Sequence, residues 1–165
     1  MGKLVTMRII GIDPGIAIVG FGIIDIKGQK MSAVSYGAIT TPAHTPMGER
    51  LLTIQNNLLT LIDNHQPDAC GIEELYFSKN VKTAMQVSHA RGVIMCALES
   101  KKIPTYHYSP TSVKSAIIGH GGAEKKQIQF MTKELLELKK VPKPDDVADA
   151  LAVAICHHHS VQYIR

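Results

Sequence analysis

Three apolar runs near the start of the chain, Arg8 to Asp13 (RIIGID), Ala17 to Ile26 (AIVGFGIIDI) and Met31 to Thr40, are separated by only a few residues each. Runs rich in Ile and Val and bounded by turn residues, here Pro14-Gly15 and Lys27-Gly28, are expected to be strands. Parallel neighbours need a crossover of a dozen or more residues, and these connections are far shorter. The three runs can therefore pair in succession only as an antiparallel meander, and the rest of the chain has to be built around that sheet.

Beyond Thr40 the chain alternates helix and strand signals. Pro46 to His65 places Leu51, Ile54, Leu58, Leu61 and Ile62 on one face at helical spacing. A short buried strand is expected at Ala69 to Glu73 (ACGIE), then a mostly apolar helix from about Val81 to Ser100, then a strand at Ile103 to Tyr108. Further helices are expected at Pro110 to Ile118, Ala123 to Leu138 and Pro144 to His158, the last opening with proline and acids as a helix N-terminus does. The order predicts an α/β fold: a ribonuclease H-like mixed sheet, an antiparallel meander plus parallel strands, flanked by helices. Fold alone leaves function open. The 165 residues, 1–165, fit a single domain.

Hydrophobic residues at 45% and charged residues at 19% exclude a disordered chain. No apolar run reaches the roughly 18 residues of a membrane span, and Arg8 and Asp13 interrupt the start where a signal peptide needs an unbroken apolar stretch. The expectation is a cytoplasmic protein with no membrane partner. Cys70, Cys96 and Cys156 match no zinc or disulfide framework and sit among apolar neighbours, so buried reduced thiols are expected. The charge of +4 is unevenly spread: Lys101 to Lys143 holds nine lysines and three acids, while the remainder holds nine bases and eleven acids. Such segregation suits a polyanion bound by one part of the chain while carboxylates act elsewhere, although a solvated basic face gives the same count.

The carboxylates carry the chemistry. Asp13 and Glu73 each end an apolar strand, and if strands one and four are neighbours the two acids meet, which raises pKa values and costs stability unless a cation lies between them. Asp145, Asp146 and Asp149 open the last helix. First-turn acids suit a helix dipole, and for Asp145 capping is the expected role. Asp146 and Asp149 lie at i and i+3 on a face that continues through the small apolar Ala150 and Val153. No Arg or Lys recurs on that stripe, so a hard cation is the expected compensation, and oxygen-only ligands select Mg²⁺ or Mn²⁺ over zinc. Four such acids suit a two-ion site, with ions about 3.5–4 Å apart flanking a phosphodiester. No Ser-His-Asp or Cys-His arrangement offers a nucleophile, which fits direct hydrolysis.

Gly11-Ile12-Asp13-Pro14-Gly15, Ile72-Glu73-Glu74 with aromatics just beyond, Ala90-Arg91-Gly92-Val93, Ala123-Glu124-Lys125-Lys126-Gln127 and Asp146-Val147-Ala148-Asp149-Ala150-Leu151-Ala152 together resemble the RuvC family of Holliday junction resolvases. GIDPG alone is shared with sugar kinases and chaperone ATPases, whose second lobe this chain has no length for. Five motifs in order from Arg8 to His158 are specific. The resemblance implies that Asp13, Glu73, Asp146 and Asp149 are the catalytic, metal-binding acids, preferring Asp146 to Asp145. It implies four-way junction DNA as substrate, a homodimer, and RuvA and RuvB as branch-migration partners. It also implies that Lys114 and Lys125 lie near the scissile phosphate, where a point charge stabilises developing negative charge.

Tyr76 and Phe77 follow Glu73 and precede a polar loop, where a ring could stack on bases of an opened junction; folding into the core is the alternative. Family members commonly carry Phe where Tyr76 stands. The helix Val81 to Ser100 has apolar residues around much of its circumference and suits either an interface or the core. Gly119-His120-Gly121-Gly122 reads as a connector touching DNA backbone. His157, His158 and His159 are expected as surface residues of a helix terminus, and Arg91 suits either packing or DNA. A non-catalytic DNA-binding module is the rival reading, against which the intact acids argue.

Overall fold

The computed structural model describes residues 6–75 and 80–161. Strands β1 (Thr6–Asp13), β2 (Ile18–Lys27) and β3 (Lys30–Thr40) form the antiparallel meander that the short connections require. Helix α1 (Met47–His65) returns the chain so that β4 (Ala69–Glu73) pairs parallel with β1. Helix α2 (Val81–Ser100) does the same for β5 (Thr105–Tyr108), which pairs parallel with β4. The sheet order is β3-β2-β1-β4-β5, a ribonuclease H-like mixed sheet. Helices α3 (Pro110–Ile118), α4 (Lys125–Leu135) and α5 (Asp145–Val161) complete the chain. No helix among the described residues is long and apolar enough to cross a membrane.

Alternation along the strands divides the core into two layers. Ile10, Ile12, Ile23 and Ile72 pack with Ile54 and Leu58 of α1 and Ile94 and Leu98 of α2. On the other face Ile9, Ile24 and Ile26 pack with Val113, Ile128, Leu151 and Ile155 from the last three helices. The expected helix at Ala123 to Leu138 is shorter at both ends, and Glu137 just beyond it takes a left-handed φ of 53°. The last strand begins at Thr105 rather than Ile103, since Pro104 has no N–H for the ladder.

Helix α5 lies almost backbone to backbone on the sheet. A Cβ on Gly11 of β1 would stand 2.0 Å from the Ala150 carbonyl oxygen, and one on Gly20 of β2 would stand 2.0 Å from that of Asp146. Both strands thus carry glycine where the helix crosses, and the helix answers with Ala150 and Ala154. From Val147 to His158 every residue except Asp149 is buried. This overturns the expectation of surface residues for His157 and His158, while His159 is half-buried: the last helix threads between the sheet and α3 and α4 and is covered past its apolar stretch. His157 is fully buried, with the Tyr108 hydroxyl 2.7 Å from its Nδ1, and burial pushes its pKa down to about 4, His158 adding to the effect. Cys70 and Cys156 are buried free thiols as expected, but Cys96 is exposed because its face of α2 turns away from α1 and the sheet.

Arg8 ties the meander to the crossover. Its guanidinium makes a two-pronged pair with Asp25 of β2 at 2.7 and 2.9 Å, and Nη1 donates to the His65 carbonyl at the end of α1 at 2.7 Å. The Arg8 hydrogen bond holds the Asp25 carboxyl below its ordinary range. A depressed carboxylate adds stability above its unfolded pKa of about 4, lost as pH falls through its lower folded value. Arg8→Met should therefore cost about 1–2 kcal/mol at pH 7 in urea unfolding, with the gap to the parent closing below about pH 4. Gly11→Ala should cost about 1–3 kcal/mol or more by the same measurement, since helix or strand must move; an unchanged midpoint would refute the close contact.

Candidate active site

Strands β1 and β4 run parallel with Ile12 opposite Ile72, so the next residues, Asp13 and Glu73, leave the sheet side by side at its carboxyl edge. Ile12 and Ile72 belong to the layer under α1 and α2, and alternation turns Asp13 and Glu73 to the other face, toward α5. There the first turns of α5 bring Asp146, whose carbonyl rests over Gly20, and Asp149 one turn on. The four acids singled out from the sequence are thus gathered at one edge of the sheet.

Their electrostatics show strain between like charges. Burial, then the neighbouring Glu73 carboxylate, then Asp149 and Asp146 push the Asp13 carboxyl far above the ordinary carboxylate range. Asp13 and Glu73 share a hydrogen bond, which fits a protonated Asp13 donating to Glu73. Burial also raises Glu73, partly offset by that bond, and raises Asp149, partly offset by Lys125.

The acids are not without a basic partner, contrary to the expectation from the α5 stripe. Lys125, on α4, places Nζ 3.3 Å from Asp149 Oδ2 and 3.4 Å from Asp145 Oδ2. Spacing along α5 could not reveal it, because the lysine comes from another helix. Lys114 of α3 lines the same cavity of about 210 Å³ as Glu73, Lys125 and Asp149, floored by Val113, Ile128 and Ala152. Asp145 faces solvent, pairs with Lys143 at 2.6 Å and is held at about 2 first by that bond and further by Lys125. It partners lysines as well as opening the helix.

Tyr76 and Phe77 lie outside the described residues. Arg91 of α2 points its Nη2 at His107 Nδ1 of β5 at 2.7 Å, so it joins helix to sheet edge. Gly119, with φ of 95°, closes α3 and begins the connector to α4. Among the described residues no three His, Cys, Asp or Glu side chains stand close enough around one point to hold an ion as they are. The donor set nevertheless fits a hard divalent cation: the acids offer only oxygen, they are partly buried, and the carboxyls of Asp13, Glu73 and Asp149 stay raised despite Lys114 and Lys125 nearby. Rotation of these side chains, with loss of the proton between Asp13 and Glu73, is what binding would require.

Residues 9–157 match the family described as crossover junction endodeoxyribonuclease RuvC. The chain belongs to the RuvC family. It is 55% identical over 154 residues to RuvC of Clostridioides difficile, covering 93% of this chain and 91% of that one. RuvC of Brevibacillus brevis is 56% identical over 151 residues, covering 92% and 91%. Among solved structures, Thermus thermophilus RuvC in complex with Holliday junction substrate superposes with a TM-score of 0.91 at 34% identity, covering 95% of this chain and 96% of that chain. Thermus thermophilus RuvC is also similar in a second structure, with a TM-score of 0.89 at 32% identity over the same shares.

Glycines 11 and 20 and the Tyr108–His157 pair escaped the sequence reading. The glycines did carry a signal, since glycine inside a strand often marks close backbone approach. A raised carboxyl pKa means that the fold loses stability as pH climbs from the unfolded value of about 4 through the raised one. In EDTA, Asp13→Asn should raise the melting temperature at pH 8 by a few degrees, the gain shrinking toward pH 4. A lower melting temperature at pH 8 would contradict the repulsion.

Proposed function

We propose that this chain is a Mg²⁺-dependent, structure-selective endonuclease that resolves Holliday junctions by paired symmetric nicks in homologous recombination and DNA repair. Its nicks would leave 5′-phosphate and 3′-hydroxyl ends. The reading rests above all on one observation: acids from β1, β4 and α5 meet on one face, with Lys114 and Lys125 beside them, in a RuvC-family chain. The junction-bound Thermus thermophilus relative supports the substrate.

Asp13, Glu73, Asp146 and Asp149 would hold the metal. Two Mg²⁺ ions, or Mn²⁺ in their place, when bound would supply Lewis-acid activation of a water and neutralise charge on the departing oxygen. Lys114 and Lys125 would hold the phosphate against the acids and offset charge developing on its oxygens. The first turns of α4 and α5 point their positive dipole ends toward the same region, which favours an anion there. Tyr76 and Phe77 are proposed to stack on bases near the cut, and the residues 1–165 to act as one nuclease domain.

A four-way junction has near two-fold symmetry, and matched cuts call for two copies of one site on that axis, hence a homodimer. Exposed Val81 and Met85 on α2 support an apolar contact surface. RuvA and RuvB are proposed partners by family resemblance, in the cytoplasm. A synthetic mobile junction with Mg²⁺ should give symmetric nicks, and Asp146→Asn should bind the junction yet cut at least about 100-fold more slowly. Cutting by that variant at the parent rate would refute the assignment. Binding should weaken steeply with salt as phosphate contacts release counterions.

A further inference from the structure

Lys125 occupies an electrostatically awkward position. It is the first residue of α4, where the helix dipole disfavours a cation, and its backbone is fixed there by the capping box between Glu124 and Gln127. Its side chain reaches across to the start of α5 and stops between two carboxylates, 3.3 Å from Asp149 Oδ2 and 3.4 Å from Asp145 Oδ2. Neither distance is the 2.7–2.9 Å of a strong charged hydrogen bond, so the ammonium is shared rather than committed.

The two carboxylates differ in surroundings. Asp149 stands among the other acids with 28% of its side chain exposed, whereas Asp145 is 42% exposed, adds only a lesser repulsion to Asp149 and is fastened by Lys143 at 2.6 Å. A divalent cation that takes Asp149 needs the oxygens the ammonium now faces and repels the ammonium itself. The lysine then has one seat left within the reach it already uses.

We propose that Lys125 is a resident counter-ion on Asp149, displaced when a divalent cation binds, and that Asp145 is the positioning residue that keeps the displaced ammonium at the rim of the site. This rests on the reading of Asp149 as a metal ligand. Asp145 thereby acts through Lys125 and touches neither metal nor DNA.

Competition makes this testable without any cleavage assay. Mn²⁺ binding by electron paramagnetic resonance, in the absence of DNA, compares the parent, Lys125→Met, Asp145→Asn and the double variant, each checked for folding by circular dichroism. Lys125→Met should tighten Mn²⁺ binding by about three-fold or more, because nothing competes for Asp149. Asp145→Asn should weaken it by a similar factor, because the ammonium loses its second seat. The double variant should match Lys125→Met. If Asp145 merely adds negative charge, Asp145→Asn weakens binding equally in both backgrounds, and the proposal fails. Failure of Lys125→Met to tighten binding also overturns it. A parent protein with no saturable Mn²⁺ binding would overturn the metal reading of Asp149 and this inference together.

Discussion

The contact of α5 with the sheet is the constraint on which the rest depends. Gly11 and Gly20 let the helix backbone rest directly on β1 and β2, and no side chain larger than hydrogen fits at either crossing. Because the contact is made by backbone atoms, it fixes height and rotation of the helix more tightly than interdigitating side chains would. Asp146 sits at one of the two crossing points, so its place relative to Asp13 follows from the packing itself. The parallel pairing of β1 with β4 fixes the other half of the site in the same rigid manner.

That rigidity opposes what the acids would do if free. Four carboxylates in a partly dehydrated space repel one another, which pushes the Asp13 carboxyl toward its protonated form beside Glu73 and leaves an ammonium beside Asp149. Both responses are local and reversible, in contrast to the buried His157, beside the half-buried Tyr108 of β5, whose ring stays neutral because burial disfavours charging it. The site therefore combines an unyielding frame with side chains whose charge state is poised to change.

Much of this was legible in the residues, for reasons that differ by element. The meander followed from connection length, and α1 from its apolar spacing, because both are local constraints. Asp13 and Glu73 could be paired in advance because strand ends in a parallel sheet share an edge. The resemblance set Lys125 near the acids, but its pairing with Asp149 was not legible, since that depends on how α4 packs on α5, a relation between segments that no periodicity records. His157 and His158 were misread for a similar reason: polar residues at the end of an apolar helix look exposed until the depth of the helix is known. Cys96 erred in the opposite sense, an apolar neighbourhood in sequence that turns outward in space.

The acids come from three stretches of chain far apart in sequence, and α5 is the last element among the described residues. As the polypeptide leaves the ribosome from its amino end, the meander and then β4 can assemble while half of the acid set is still unmade or unfolded. The acid cluster is therefore complete only once α5 has emerged and docked on the sheet. Whatever the acids do together is in this way withheld until the fold that gathers them is built.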